Sequence, residues 1–309
     1  MTWLVPMEET KEINALLHLL DDPDEEVYST VSSRIISFGK QIIPNLEHLW
    51  ETTPDEETQE RIEMLIHRLH LQDLQQDLRE WLNESNQDLL TGLFIISRYH
   101  YPDLNLNQAH QELEKMKRNI WLELNSFLTS LEQVNVINNI LFNYHKLKGN
   151  EVNYSRPDDF VFAKVLESKK GNALTNGLLY LVLAQQLDIN LQAVNIPRQF
   201  ILAYIDETGI DYNDDSNRPE HIQFFLDGAS GQIYSYEDVE IYFKRLNLPL
   251  SPGYFKPLNN KQILVLLLKE YAKCFSSEAQ QYKRNDLLTL ASLLDDTVVP
   301  QDDEEEDEL

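Results

Sequence analysis

The stretch KKGNALTNGLLYLVLAQQLDI, residues 169–189, constrains this chain more than any other. Two lysines lead into Gly171, and a long apolar helix follows at once. A helix this apolar has to be covered by the rest of the chain, so it is expected at the centre of a core. Its run GLLYLVLA, like ILVLLL further on, is far too short to cross a bilayer. A glycine that opens a helix is also a common seat for a reactive side chain, because the helix dipole there favours an anion. The first turn here reads Asn172, Ala173 and Leu174, and none of these reacts.

The material available to cover that helix is ample. Apolar residues make up 42% and aromatics 10% of 309 residues, enough for a packed core in two modest domains or one with attachments. Only 9 glycines and 12 prolines occur, which fits a mostly helical chain. The formal net charge is −26; seven of these charges sit in the closing QDDEEEDEL, and the remainder of the chain is acidic in its own right. Such a field repels phosphate backbones and anionic membrane surfaces, so neither nucleic acid nor membrane is the expected partner. The charge serves solubility, and the sharper reading is a basic protein partner. A single cysteine, Cys274, rules out an intrachain disulfide. MTWLVPMEETKE has no basic leader and no apolar run of signal length, so a soluble cytoplasmic protein is expected.

Along the chain, residues 1–100 read as short amphipathic helices. Ile13, Leu16, Leu17 and Leu20 share one face, and Val27, Val31, Ile35 and Phe38 form the next stripe. Asp-Pro-Asp-Glu-Glu opens that second helix, Gly39 can stop it, and another begins near Gln41. A further helix is expected over about 56–70. Paired helices with tight turns, carried by DDPDEEV, FG and IIPNLEHLW, resemble HEAT-type repeats. The loop RYHYPDLNLNQ (98–108) breaks the pattern and marks a boundary. A core over 101–250 follows, with a helical region over about 108–147 closed by Gly149 as a C-cap. LQAVNI, QFILAYID and HIQFFLD then read as strands, with GASGQIYS as a turn and an edge strand. Helices return at YEDVEIYFKRL and, within a C-terminal extension over 251–296, at NKQILVLLLKEYAKCF and NDLLTLASLL, and 297–309 form an acidic tail. A central helix, then antiparallel strands, then helices makes an α+β fold.

Residues from about 108 to 260 resemble the SirB-type branch of the transglutaminase-like superfamily. The likeness is carried by NYSRPDDFVFAKVLESKKGNALTNGLLYLVLAQQLDINLQAVNIPRQFILAY and FFLDGASGQIYS. The resemblance implies a papain-like arrangement in active members: a cysteine opening the central helix, a histidine at a strand start, and an aspartate ending the next strand. The helix terminus lowers the thiol pKa, the imidazole takes the proton, and the carboxylate orients the imidazole. Carried over, the cysteine position falls at or beside Ala173, the histidine position at Gln199, and the aspartate position at Asp227. Only the last keeps its residue type. The resemblance therefore implies a degenerate site whose three positions converge at one end of the central helix, with Asn172, Thr175 and Asn176 beside them as binding-groove candidates.

Two functions from different classes follow. One is a catalytically silent module that binds a protein or peptide partner or acts as a scaffold, with no cofactor and no metal. The other is a hydrolase or transferase acting on peptide or amide bonds through a nucleophile not identified. Cys274 falls in helical spacing with Leu264, Leu267, Leu268 and Tyr271, which makes it a small buried thiol. His67 and His70 stand three apart on a helix, but no third metal ligand lies near them. His221 opens the strand that ends in Asp227, and a strand carries the two about 20 Å apart. Lys169 and Lys170 read as a solvated charge pair, and DYNDDSNRPE (211–220) as an acidic hairpin loop. Nine residues with seven acids cannot offset their chain entropy by burial, so disorder is expected from about 297 onward. Deleting 297–309 is expected to leave Tm nearly unchanged by differential scanning fluorimetry.

Overall fold

Four helices near the N-terminus bury one another's apolar stripes in the computed structural model, which describes residues 7–206, 221–295 and 297–298. They are α1 (Met7–Leu17), α2 (Glu25–Ser37), α3 (Ile43–Thr52) and α4 (Glu56–Asn83). The chain divides into two units, Met1–Arg79 and Glu80–Leu309. The core of the first unit joins Leu20, Val31 and Ile35 to Ile42, Leu46, Ile62, Leu65 and Leu69. Asp24 caps α2 by accepting from the Glu26 amide at 2.9 Å, and Gly39 ends the segment at φ +71°. Helix α4 runs well beyond the expected 56–70, because no glycine or proline intervenes between Pro54 and Gly92 and its apolar positions continue through Leu74, Leu78 and Trp81.

In the second unit the apolar helix, α9, is enclosed from Leu174 to Ala184 without a break. It is reached through α5 (Leu89–Ser97), α6 (Leu106–Glu123), α7 (Ser130–Asn138) and α8 (Phe162–Ser168), and it spans Ala173–Gln186. Seven of its enclosed side chains are Leu, Val or Tyr. At about 1.5–3 kcal/mol each, their burial contributes on the order of 10–20 kcal/mol before chain entropy is set against it. Behind α9 stands a four-stranded antiparallel sheet in the order β3-β4-β5-β6. Its strands are β3 (Leu191–Ile196), β4 (Gln199–Ile205), β5 (Ile222–Asp227) and β6 (Ile233–Tyr234). Leu202 pairs with both Ala193 and Leu226, which sets the register. One face covers α9; the other carries Val194, Ile201, Ala203 and Phe225 onto Val239 and Phe243 of α10 (Tyr236–Leu246) and onto Phe255. Helices α11 (Asn260–Ala272) and α12 (Gln281–Leu294) pack together. No described helix is long and apolar enough to cross a membrane.

Gly149 does not cap a helix. The helix after α7 closes as a wide turn at Tyr144, and Gly149 lies in β1 (Lys148–Asn150), paired in parallel with β2 (Lys170–Asn172). The two strands have the same sequence, Lys-Gly-Asn, and align residue for residue. The glycine is needed for approach rather than for a turn, since a Cβ at 149 would lie 1.9 Å from the Ala229 oxygen. Cys274 lies just beyond the end of α11, its amide bonded to the Tyr271 oxygen at 3.0 Å. Of the tail, Thr297 is tied to Asp295 and Val298 is buried; residues 299–309, like the loop at 211–220, lie outside the described residues.

The turn after β5 is pressed against the start of α9. A Cβ on Gly228 would sit 2.5 Å from both the Ala173 oxygen and the Gly177 nitrogen, all backbone atoms that cannot swing aside. Gly228→Ala is expected to destabilise the unit by about 2 kcal/mol, as overpacking typically does. Thermal unfolding followed by circular dichroism should show a fall in Tm of roughly 4–8 °C.

Candidate functional site

The start of α9 is built from buried polar groups that bond to one another in part; Asn172 Nδ2 and Asn176 Oδ1 have no hydrogen-bond partner among the described residues. Asn172 is the N-cap: its Oδ1 accepts from the Thr175 amide at 3.0 Å, while Thr175 Oγ1 accepts from the Asn172 amide at 3.1 Å. The same threonine hydroxyl donates to the Asp159 carbonyl at 2.9 Å. Asn176 Nδ2 donates to the Lys148 carbonyl at 3.3 Å and so ties α9 to β1. Asn172, Thr175 and Asn176 are each 0% exposed. They hold the helix start in place, and none of the three lines the neighbouring cavities. Gly171 is required beside them, because a Cβ there would meet Asn176 Oδ1 at 2.4 Å.

Lys169 is not a solvated lysine. It ends α8 at φ +57°, and its ammonium reaches Glu112 Oε2 at 2.9 Å with only 19% of its side chain exposed. Lys115 holds the other oxygen of Glu112 at 2.6 Å. Hydrogen bonds from Lys115 and then Lys169 bring the Glu112 carboxyl down to about 2. The pair anchors the point where the chain turns from α8 into β2 and α9.

A cavity of about 690 Å³ opens beside this helix start, and Ala173, Gln199 and Asp227 all line it. Of the first-turn residues Ala173–Asn176, Ala173 alone stays partly exposed. Asp227 is committed to the turn after β5: its Oδ1 accepts from the Ala229 amide at 2.9 Å and its Oδ2 from Ser230 Oγ at 2.6 Å. Gln199 pairs with Ile196, and Ile201 with Asp227, so alternation along β4 puts Gln199, Ile201 and Asp227 on the α10 face. Phe200, one residue on, points the other way, with its ring against Gly177 of α9. The Gln199 side chain lies beside the Tyr242 hydroxyl, which donates to the Pro197 carbonyl at 2.9 Å. A side chain at 199 therefore addresses α10 rather than the first turn of α9.

Sequence reasoning missed much of the cavity wall. Residues 149–152, Tyr234, Tyr242 and Arg245 line it as well. The repeated Lys-Gly-Asn was the signal for β1 and β2; Tyr242 and Arg245 carry no local signal beyond their place on an amphipathic helix.

With this geometry in view, the family model described as the transglutaminase-like superfamily matches residues 107–269, more than half of the chain. The chain belongs to the transglutaminase-like superfamily. The match begins within α6 and ends in α11, so it takes in the central helix, the sheet and the cavity. The chain is also similar to mouse F-box only protein 21, 34% identical over 71 residues, which are 23% of this chain and 11% of the mouse protein. Against human F-box only protein 21 the identity is 32% over 71 residues, with the same shares of each chain. The matched stretch is thus about a tenth of each curated relative. No solved structure matches the chain.

The ion pair that anchors this transglutaminase-like site makes a pH prediction. A carboxyl lowered by folding stabilises above its unfolded pKa of about 4.5, and that contribution is lost as pH falls toward about 2. Because 24% of the Glu112 side chain meets solvent, its worth is about 1 kcal/mol. Urea unfolding of Glu112→Gln should show a deficit of about that size at pH 7, narrowing as pH drops from 5 toward 2.

Proposed function

We propose that this transglutaminase-like chain is catalytically silent and works as a binding or scaffolding module of the SirB-type branch, flanked by a HEAT-like helical unit. The observation that carries the reading is the methyl group of Ala173 at the partly exposed start of α9, where the superfamily's active arrangement begins with a thiol. The remaining candidates point the same way. Cys274 lines neither cavity beside α9, and burial, with Glu270 and Asp159 adding to it, pushes its thiol up to about 12. A thiol held there is uncharged near neutral pH and is a poor nucleophile. The Thr175 hydroxyl is enclosed and engaged on both sides. Gln199 cannot take and return a proton near neutral pH. What the site retains is a large concave surface, which suits holding a chain better than cleaving one.

The test combines an activity assay with thiol chemistry. Neither the unmodified protein nor Cys274→Ser is expected to release amine from a casein or glutamine-peptide mixture above background. Ala173→Cys is expected to titrate below the ordinary thiol value of about 8.5, since it would sit on a helix N-terminus. Adding Gln199→His should change its rate of alkylation by iodoacetamide less than about twofold, because the imidazole would face Tyr242. Robust amide turnover that persists in Cys274→Ser would overturn the silent reading.

A further inference from the structure

We propose that the cleft around Ala173 takes an arginine-bearing peptide segment, with the guanidinium held among Glu151, Asp227 and Asp238 and an apolar neighbour in the smaller pocket. This rests on the binding-module reading and specifies the chemistry of the partner.

The cleft has two chemically different parts. Beside the 690 Å³ cavity lies a second of about 210 Å³, and the two share Val152, Ala173, Ile196, Gln199 and Phe200. They are therefore one cleft with Ala173 in its wall. The smaller part is lined by Tyr154, Phe160, Leu174, Val194 and Leu266, an apolar set that would desolvate a large side chain. Its charged groups are Arg198 and Glu270, and Glu270 already pairs with Lys273 at 2.9 Å.

The larger part is acidic. It carries Glu151, Asp227 and Asp238 against one guanidinium, Arg245. Arg245 stands seven residues beyond Asp238 on α10, about 10 Å along the helix, so the basic end of this wall is separate from the acidic end. The bonds these carboxylates make within the fold leave acceptor positions over. Asp238 Oδ2 accepts from the Ser235 amide at 2.8 Å and from its hydroxyl at 2.9 Å, which holds the carboxyl below the usual carboxylate range. Asp238 Oδ1 and both oxygens of the exposed Glu151 have no hydrogen-bond partner among the described residues. A carboxylate offers about four acceptor positions, and the turn after β5 takes two of those on Asp227.

An aromatic ring stands among these groups. Tyr234 pairs with Phe225, which puts it on the same face of the sheet as Asp227. Burial, and then the charges of Asp227 and Asp238, push the Tyr234 hydroxyl above its usual value, so both carboxylates lie near this side chain. Tyr242 adds a second ring one turn beyond Asp238. A guanidinium suits this wall better than an ammonium does. It is planar, it pairs with a carboxylate through two parallel bonds, and it stacks on aromatic faces.

The lip of the cavity points to a peptide rather than a small cation. Glu151 and Val152 continue from β1 along it, both are exposed, and their backbone groups make no hydrogen bond to another described residue. An open stretch that continues a strand can pair with an incoming chain. The long-range field has the same sign as the local one, since a net charge of −26 draws a basic segment toward the protein.

The probes are four pools of fluorescein-labelled hexapeptides with a fixed central pair, Phe-Arg, Phe-Lys, Phe-Gln or Phe-Glu, and flanks randomised over uncharged residues. Binding to the full chain is followed by fluorescence anisotropy at physiological salt. The Phe-Arg pool is expected to bind about tenfold more tightly than Phe-Gln, with Phe-Lys between them and Phe-Glu weakest. Glu151→Gln with Asp238→Asn should bring Phe-Arg to the Phe-Gln level while leaving Phe-Gln unchanged. Glu151→Gln alone, at an exposed position, should lose part of the preference. Ala173→Trp, which fills the cleft, should abolish binding of every pool; melting curves of each variant check folding. A preference for Phe-Arg that survives loss of both carboxylates overturns the proposal, as does a Phe-Lys pool that binds more tightly than Phe-Arg. Displacement of the Phe-Arg pool by equimolar spermidine also overturns it, by assigning the site to a free polyamine. Equal binding of all pools, lost in Ala173→Trp, overturns the basic preference and leaves the module reading standing. Binding of no pool overturns both.

Discussion

Enclosing a helix that is apolar on every side is the constraint on which the second unit depends. The Leu, Val and Tyr side chains between Leu174 and Leu183 cannot be left in water without loss, so neighbours must arrive from several directions. The sheet covers one side, α8 and the β1–β2 pair cover others, and the turn after β5 closes the helix start. Such close approach demands small residues where backbones meet. Gly149, Gly171 and Gly228 stand at those contacts, each at a position where a Cβ would collide with atoms of a neighbouring segment. Their role is clearance, and it would be lost with the first methyl group.

The same constraint shapes the polar residues at the helix start. A helix N-terminus buried in protein cannot leave its amides to water, so Asn172, Thr175 and the Asp159 carbonyl satisfy them or each other. The Asn172 Nδ2 and Asn176 Oδ1 atoms nonetheless stay without a hydrogen-bond partner among the described residues. Ala173 is left at the cavity with nothing to donate, accept or attack. Around it, the wall is supplied by segments distant in sequence: the stretch after β1, the β3–β4 turn, and the exposed side of α10.

The thiol and the aspartate that remain illustrate how residue type misleads without environment. Cys274 is a nucleophile by chemistry, yet burial and two nearby carboxylates keep its proton on. Asp227 has the expected identity at the end of β5, yet both of its oxygens are occupied by the turn that follows. In each case the local electrostatics and hydrogen bonding decide the role.

Much of the architecture was legible from the amino-acid order. The strands LQAVNI, QFILAYID and HIQFFLD and the helix after Asn172 follow from period, capping residues and turn signals, which are local properties and need no tertiary information. The apolar excess of α9 also determined that this helix would be central. The structure alone decided where Gln199 points, because the facing of a strand residue depends on which sheet face meets which helix. It also decided that Gly149 joins a strand, that α4 continues to Asn83, and that Lys169 is paired with Glu112. These outcomes depend on contacts between segments tens of residues apart, where loop closure and packing, rather than local preference, select the partner.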